Sequence, residues 1–241
     1  MTALAAELET APFAQRRFSS SENLAEAFAD WTAALLQNAV TTRGEATLIV
    51  SGGATPKRYF EVLSHKDVDW SRVNITLADE RRVSDDSPRS NAKLVREHLL
   101  QNRAAEARFV PLADNRLPPE RELAAAQARI AELPLPADLV VFGMGDDGHT
   151  ASWFPQGDNL EAAMNPGERA LVLPMTAPDA AEPRLTLTAR VLLRATALAL
   201  HLEGEGKRAV LAKALQEGPA EDMPIRGVLR GAADRLTVFE T

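Results

Sequence analysis

The sequence predicts an α/β fold, doubly wound around a mostly parallel sheet with helices on both faces, Rossmann-like in outline. Three observations predict it. Short apolar runs alternate with longer segments of helical period along the chain. The most apolar run, Leu139–Phe142 (LVVF), is continuous rather than alternating, as expected of a strand covered on both faces. Polar or glycine-rich segments follow three of the runs, and in parallel sheets such strand ends gather on one ligand-binding edge.

Residues 21–40 carry Leu24, Ala27, Phe28, Trp31, Leu35 and Leu36 at close to a helical period, with Ser20 or Ser21 placed to cap the helix. Residues 47–50 (TLIV) read as a strand closed by Gly52-Gly53, and Pro56 suits the first turn of a helix ending near Leu63. The run Val73–Leu77 (VNITL) reads as a second strand that passes into Asp79-Glu80-Arg81 and a loop of turn formers. A helix is expected at 90–100, a strand at 109–112 and a high-propensity helix at 120–133. After Leu139–Phe142, strands are expected at 171–173, 197–202 and 236–239, with helices at 187–194 and 205–217. The strands should be joined by right-handed crossovers. No linker or repeat interrupts the pattern, so residues 1–241 read as a single domain.

Composition narrows the function. Apolar residues make up 45% and charged residues 25%, an ordinary globular balance with ample material for a core. A net charge of −7 disfavours nucleic-acid partners. The absence of cysteine removes disulfides, thiolate metal sites and cysteine nucleophiles together. There is no HExxH, no paired histidines, no G-x-x-x-x-G-K-[ST] and no G-x-S-x-G, so no metal or cofactor is expected. The opening MTALAAELETAPF lacks the basic and apolar regions of a signal peptide, and no apolar run approaches the ~18 residues of a membrane span. The expected setting is cytoplasmic, with a small-molecule partner and no obligate protein partner.

Four segments carry chemistry. In SGGATP (51–56), two glycines after a strand expose successive N–H groups ahead of a helix N-terminus, a cradle suited to phosphate. Taken alone, it reads as readily as a plain tight turn. Asp79-Glu80-Arg81 puts an arginine beyond a strand end, where it can hold a phosphate or carboxylate by paired hydrogen bonds; a surface ion pair is the blander alternative.

GMGDDGHTASWFP (143–155) opens as G-x-G-x-x-G, but Asp146 and Asp147 would oppose a pyrophosphate and Phe154-Pro155 leave little room for a helix. His149 is the one histidine in a glycine loop, where its ring can act as a general base with Asp147 to orient it. His65, His98 and His201 lie in helix-like or strand-like contexts. Between 184 and 213 lie six basic and two acidic residues, most of them on solvated helix faces. Arg184 and Lys207, the latter at the opening of a helix after Gly204 and Gly206, are the expected ligand contacts.

SGGATP (51–56), LADERRVSDDSPRSN (77–91), GMGDDGHTASWFP (143–155), RLTLT (184–188) and GKRAVL (206–211), in this order, resemble the 6-phosphogluconolactonase family. The resemblance spans roughly residues 47 to 213 and implies a doubly wound α/β fold shared with glucosamine-6-phosphate deaminases and ribose-5-phosphate isomerases. It implies hydrolysis of 6-phospho-D-glucono-1,5-lactone in the oxidative pentose phosphate pathway. Gly52, Gly53 and Thr55 would contact the substrate phosphate, with charge from Arg81 and Lys207, and with Asp79 and Arg184 among the substrate contacts. His149 would be the base, with Asp147 beside it, and Arg81 or backbone N–H groups would be the catalytic donors to the oxyanion.

Ala54 stands where the family often has Ser, which removes one hydroxyl contact and leaves the backbone N–H groups. The related deaminases end the histidine segment in Asn-Glu-Pro, whereas this chain has Trp153-Phe154-Pro155 and lacks that carboxylate. An amino-sugar-phosphate deaminase or isomerase, and a non-catalytic sugar-phosphate sensor, are the rival readings.

Overall fold

The computed structural model describes residues 11–114 and 116–241; residues 1–10, most of the segment read above as lacking a leader, lie outside the described residues. The chain begins with β1 (Ala14–Arg17), α1 (Ser21–Arg43), β2 (Ala46–Val50), α2 (Lys57–Ser64), β3 (Val73–Leu77) and β4 (Asp79–Arg81). There follow α3 (Asn91–His98), β5 (Arg108–Val110), α4 (Pro119–Ala131), β6 (Leu139–Phe142), α5 (Leu160–Met164) and β7 (Val172–Met175). It ends with β8 (Arg184–Leu187), α6 (Ala189–Leu192), β9 (Ala197–Leu202), α7 (Glu205–Leu215), α8 (Ile225–Gly231) and β10 (Leu236–Glu240).

Local chemistry sets the long first helix. The Ser20 side chain accepts from the Asn23 N–H at its start, and Gly44 closes it with φ of 86°, donating its N–H to the Val40 carbonyl. β2, β3 and β6 are buried at every residue, which requires cover on both faces of the sheet centre. β6 could be read from sequence as a continuous apolar run for that reason, whereas β3 buries Asn74 and Thr76, whose side chains bond to the Ala46 and Val110 carbonyls.

Seven strands form one sheet in the order β1-β10-β9-β6-β2-β3-β5, and each neighbouring pair is parallel. From β2 the chain winds outward through β3 to β5, then returns to β6 and winds the other way through β9 to β10. The direction reverses between β2 and β6, which pair with Val50 opposite Val141. A crevice opens beyond the carboxyl ends of two strands at such a reversal. The SGGATP and GMGDDGH segments begin there.

Two stretches differ from the expectation. Residues 79–81 form a strand rather than the head of a loop, and 184–187 form a strand ahead of a helix of only four residues. Together with β7 they make a small antiparallel sheet, β4-β8-β7, with Asp79 opposite Thr186 and Arg81 opposite Arg184. The chain changes sheets at Ala78. Its N–H donates to Val50 of the large sheet, while its carbonyl accepts from Leu187 of the small one, both at 2.9 Å. β1 and α8 also lie outside the expected elements; β1 is a short, mostly exposed edge strand with no apolar residue beyond Ala14.

The buried carboxylate of Glu80 fixes the junction between β4 and α3. One of its oxygens accepts the N–H groups of Arg81 (2.7 Å) and Asn91 (2.8 Å). The other accepts the Ala92 N–H (2.6 Å) and the Ser90 hydroxyl (3.2 Å). A carboxylate at a helix N-terminus satisfies donors that have no partner within the helix. Burial pushes the Glu80 carboxyl above its ordinary range even though three backbone N–H groups pull the other way. Glu80→Ala leaves those amides buried and unpaired, so the expected loss is about 2–5 kcal/mol, read as a lower urea midpoint. An unchanged midpoint would show that the junction is held by other contacts.

Candidate active site

The crevice holds a cavity of about 240 Å³. One wall is the 51–56 segment; Asp79, Arg81, Asn91 and Arg184 form another. Residues 141–145 and 149–151 close one side, and His201, Leu202 and Lys207 the other. Gly52, Gly53, Thr55, Asp79, Arg81, His149, Arg184 and Lys207 therefore meet in one space, with Asp147 bonded to His149 at its margin.

Packing explains the first glycine of the 51–56 segment. A Cβ on Gly52 would stand 1.9 Å from Oδ1 of Asn91, whose amide nitrogen donates to the Asp79 carbonyl at 2.9 Å. Gly53 takes φ of 100°, a conformation that side chains rarely adopt. The α2 helix that follows has no side-chain cap, so its N-terminal N–H groups remain available beside the cavity.

Three cations stand around this loop. Arg81 donates from Nη1 to the Arg89 carbonyl (2.5 Å), and its Nε is buried without a hydrogen-bond partner. Arg184, opposite it in the small sheet, is 7% exposed, and its Nε is likewise unpartnered. Burial pushes the Arg184 guanidinium below its ordinary value; Asp79 opposes that shift and the neighbouring Arg81 charge reinforces it. Two guanidiniums at one cross-strand position repel each other, and an anion between them relieves the repulsion. Lys207 pairs with Asp146 at 2.5 Å.

Asp79 points into its own support. Its Oδ2 accepts the Ser152 hydroxyl (2.5 Å) and lies 3.5 Å from Arg184 Nη1, while Oδ1 lies 3.4 Å from the Asn91 amide nitrogen.

His149 follows a tight turn in which Gly145 N–H donates to the His149 carbonyl (2.8 Å) and Gly148 N–H to the Gly145 carbonyl (3.1 Å). Asp147 Oδ1 accepts both the His149 backbone N–H (3.0 Å) and ring Nδ1 (2.6 Å). A carboxylate only accepts, so Nδ1 carries the hydrogen and the neutral ring presents Nε2 as a base. Among the described residues Nε2 has no partner. Burial pushes the Asp147 carboxyl up, but the hydrogen bonds from His149 outweigh it and hold the group below the usual carboxylate range. Phe154 packs on the imidazole at 4.3 Å between ring centroids, and the Arg184 guanidinium lies 4.9 Å from the centre of the same phenyl ring.

The family model for glucosamine-6-phosphate isomerases/6-phosphogluconolactonase matches residues 19–238. The chain belongs to this family. It is 49% identical over 222 residues to a 6-phosphogluconolactonase of Rhizobium meliloti, covering 92% of this chain and 96% of that one. It is 45% identical over 233 residues to a 6-phosphogluconolactonase of Mesorhizobium japonicum, covering 97% of each. The crystal structure of a 6-phosphogluconolactonase from Shewanella baltica superposes with a TM-score of 0.89 at 42% identity, covering 95% of this chain and 96% of that one.

Among the described residues of this family member, no group of three or more His, Cys, Asp or Glu side chains stands together as a metal site, and no helix is long and apolar enough to cross a membrane. Asn91, Ser152 and Phe154 escaped the reading of the sequence as site residues. Each lies inside a quoted segment, but its part depends on partners 12, 73 and 30 positions away or on ring stacking, which local spacing does not encode.

A Cβ on Gly145 would lie 2.1 Å from His149 Nδ1 and 2.6 Å from Asp147 Oδ1. Gly145→Ala is therefore expected to break the His149–Asp147 hydrogen bond. The low-field imidazole proton signal seen by NMR in the wild type should vanish, while far-ultraviolet circular dichroism stays unchanged. Persistence of that signal would contradict the packing argument.

Proposed function

We propose that the chain is a lactone hydrolase that converts 6-phospho-D-glucono-1,5-lactone to 6-phosphogluconate, working in the cytoplasm without metal or cofactor. The observation that carries the reading is the His149–Asp147 pair, whose Nδ1 hydrogen bond makes Nε2 the basic nitrogen of the neutral ring, at a cavity whose other side is a glycine loop among cations. The kinship with the 6-phosphogluconolactonases above supports the substrate.

In this mechanism the 6-phosphate rests on the N–H groups of Gly52 and Gly53 and on Thr55, at the N-terminus of α2, with Lys207 and Arg81 beside it. Asp79 holds Arg184 in place as a further contact. The lactone carbonyl then lies near His149 with a water molecule between them. His149 Nε2 takes a proton from the water as its oxygen bonds to C1, and the carbonyl electrons move to the oxygen. Donors beside the carbonyl, Arg81 or backbone N–H groups of the cavity wall, stabilise this tetrahedral oxyanion. Collapse breaks the bond between C1 and the ring oxygen, which takes the proton from the imidazolium and becomes a hydroxyl. The acid product loses its proton to solvent. Asp147 fixes the tautomer and balances the transient imidazolium charge.

His149→Ala is expected to lower the enzymatic rate by about 10²–10⁴-fold once spontaneous hydrolysis is subtracted, with the fold retained. A variant that keeps near wild-type activity would remove His149 from the mechanism. Lys207→Ala is expected to raise KM about tenfold with little change in kcat, because a phosphate contact acts equally on ground and transition states. A loss confined to kcat would contradict that assignment.

A further inference from the structure

Phe154 lies against the proposed base and has no part in the mechanism above. It is 3% exposed and stands outside the cavity lining, which includes His149, Thr150 and Ala151. Its ring centroid is 4.3 Å from that of the imidazole, with the two planes 34° apart. Planes nearer parallel than perpendicular, at that separation, put the π face of the phenyl and not its edge against the imidazole. The Arg184 guanidinium carbon lies over the same phenyl ring, 4.9 Å from its centre. The place of Phe154 is fixed from both sides. Trp153 is fully buried; its N–H donates to the Thr150 carbonyl (2.9 Å) and its indole Nε1 to the Leu187 carbonyl of β8 (3.0 Å). The Phe154 carbonyl accepts the Gly157 N–H at 3.0 Å, and a Cβ on Gly157 would stand 2.6 Å from the Met175 sulfur of β7.

Base catalysis changes the charge of one partner in this contact. The His149 ring is neutral before it takes the proton from water and a cation afterwards. The face of a phenyl ring carries the negative part of its quadrupole, so it attracts a cation over it more strongly than a neutral ring. Phe154 therefore favours the imidazolium over the imidazole. A contact that strengthens as charge develops lowers the barrier rather than only holding the ground state. Asp147 acts on the same charge from Nδ1, in the plane of the ring. Phe154 acts from the face, and a face contact occupies neither ring nitrogen.

We propose that Phe154 is a positioning residue of the reaction: its ring face seats the His149 imidazole and stabilises the positive charge the imidazole acquires as base. The inference rests on the reading of His149 as the base given above. The charged groups around His149 can be named. Asp147, on its own loop, holds Nδ1, and Arg184 of β8 lies over the phenyl ring. Asp79 and Arg81 of β4 share the cavity lining with it, as does Lys207 of α7, which is paired with Asp146. Met223 packs on Gly148, and the Ile225 N–H at the start of α8 donates to the Gly148 carbonyl (2.9 Å); neither side chain adds charge.

The test replaces Phe154 in the full-length chain by phenylalanines carrying one, two and three ring fluorines, which keep the shape of the ring and progressively weaken its negative face. The proton affinity of the His149 ring is read by NMR from the pH dependence of its Cε1–H signal, assigned by its loss in His149→Ala. From the unsubstituted to the trifluorinated ring that affinity should fall about threefold, the scale of a partly exposed cation–π contact. Lactone-opening kcat should fall in the same order, with little change in KM. Phe154→Leu, which removes the π face from a chain that still folds, decides the matter if the fluorinated chains do not fold. It should lower kcat about tenfold through a loosened base while KM stays near the wild-type value. A packing role alone predicts that affinity and kcat stay level across the fluorinated series, or that Phe154→Leu lowers the urea midpoint and leaves kcat intact. Either result would overturn this inference and leave the lactonase reading standing. An unsubstituted chain that does not open the lactone would overturn the reading of His149 as base, and this inference with it.

Discussion

The site depends on one buried carboxylate. Glu80 accepts three backbone N–H groups and a serine hydroxyl, and through them it locks the end of β4 to the start of α3. On one side this aims Arg81 at the cavity. On the other it seats Asn91 beneath Gly52, where a side chain on the glycine would collide. The shape of the anion cradle and the placing of its nearest guanidinium thus follow from the same hydrogen bonds. Burying a carboxylate is unfavourable unless its lone pairs are used, and here four donors use them.

A second chain of contacts carries position across the cavity. Ser152 and Asn91 hold Asp79, Asp79 lies against Arg184, and Arg184 lies over Phe154, which packs on His149. The large parallel sheet supplies the crevice at its reversal between β2 and β6, and the small antiparallel sheet supplies the arginines that line it. Cations around a glycine loop and a base with a fixed tautomer in one cavity suit a substrate that carries both an anion and an electrophile.

Leu139–Phe142 was legible because it is buried on both faces and therefore reads as a continuous apolar run; Val73–Leu77 and Ala197–Leu202, which bury Asn74, Thr76 and His201 among their apolar residues, also match to the residue. The small sheet was not. Asp79-Glu80-Arg81 is unlike a strand by composition, and it pairs with residues more than a hundred positions away. The glycine loops and His149 stood out because glycine and histidine at strand ends are locally unusual. Asp79 shows the limit of that signal: the sequence marked it as a substrate contact and it lines the cavity, but the hold of Ser152, Asn91 and Arg184 on its carboxylate is a property of the folded chain. His201 was legible only as a strand residue, because its carboxylate partner and its unpartnered nitrogen are properties of the folded chain.

The central claim is that the cavity hydrolyses a phosphorylated sugar lactone. The most direct measurement is the rate at which the wild-type chain opens freshly generated 6-phosphogluconolactone, followed by coupling the product to 6-phosphogluconate dehydrogenase, with glucosamine 6-phosphate offered in parallel. The expected result is lactone opening well above the spontaneous rate and no ammonia from the amino sugar. A rate equal to the spontaneous one, or ammonia release, would contradict it.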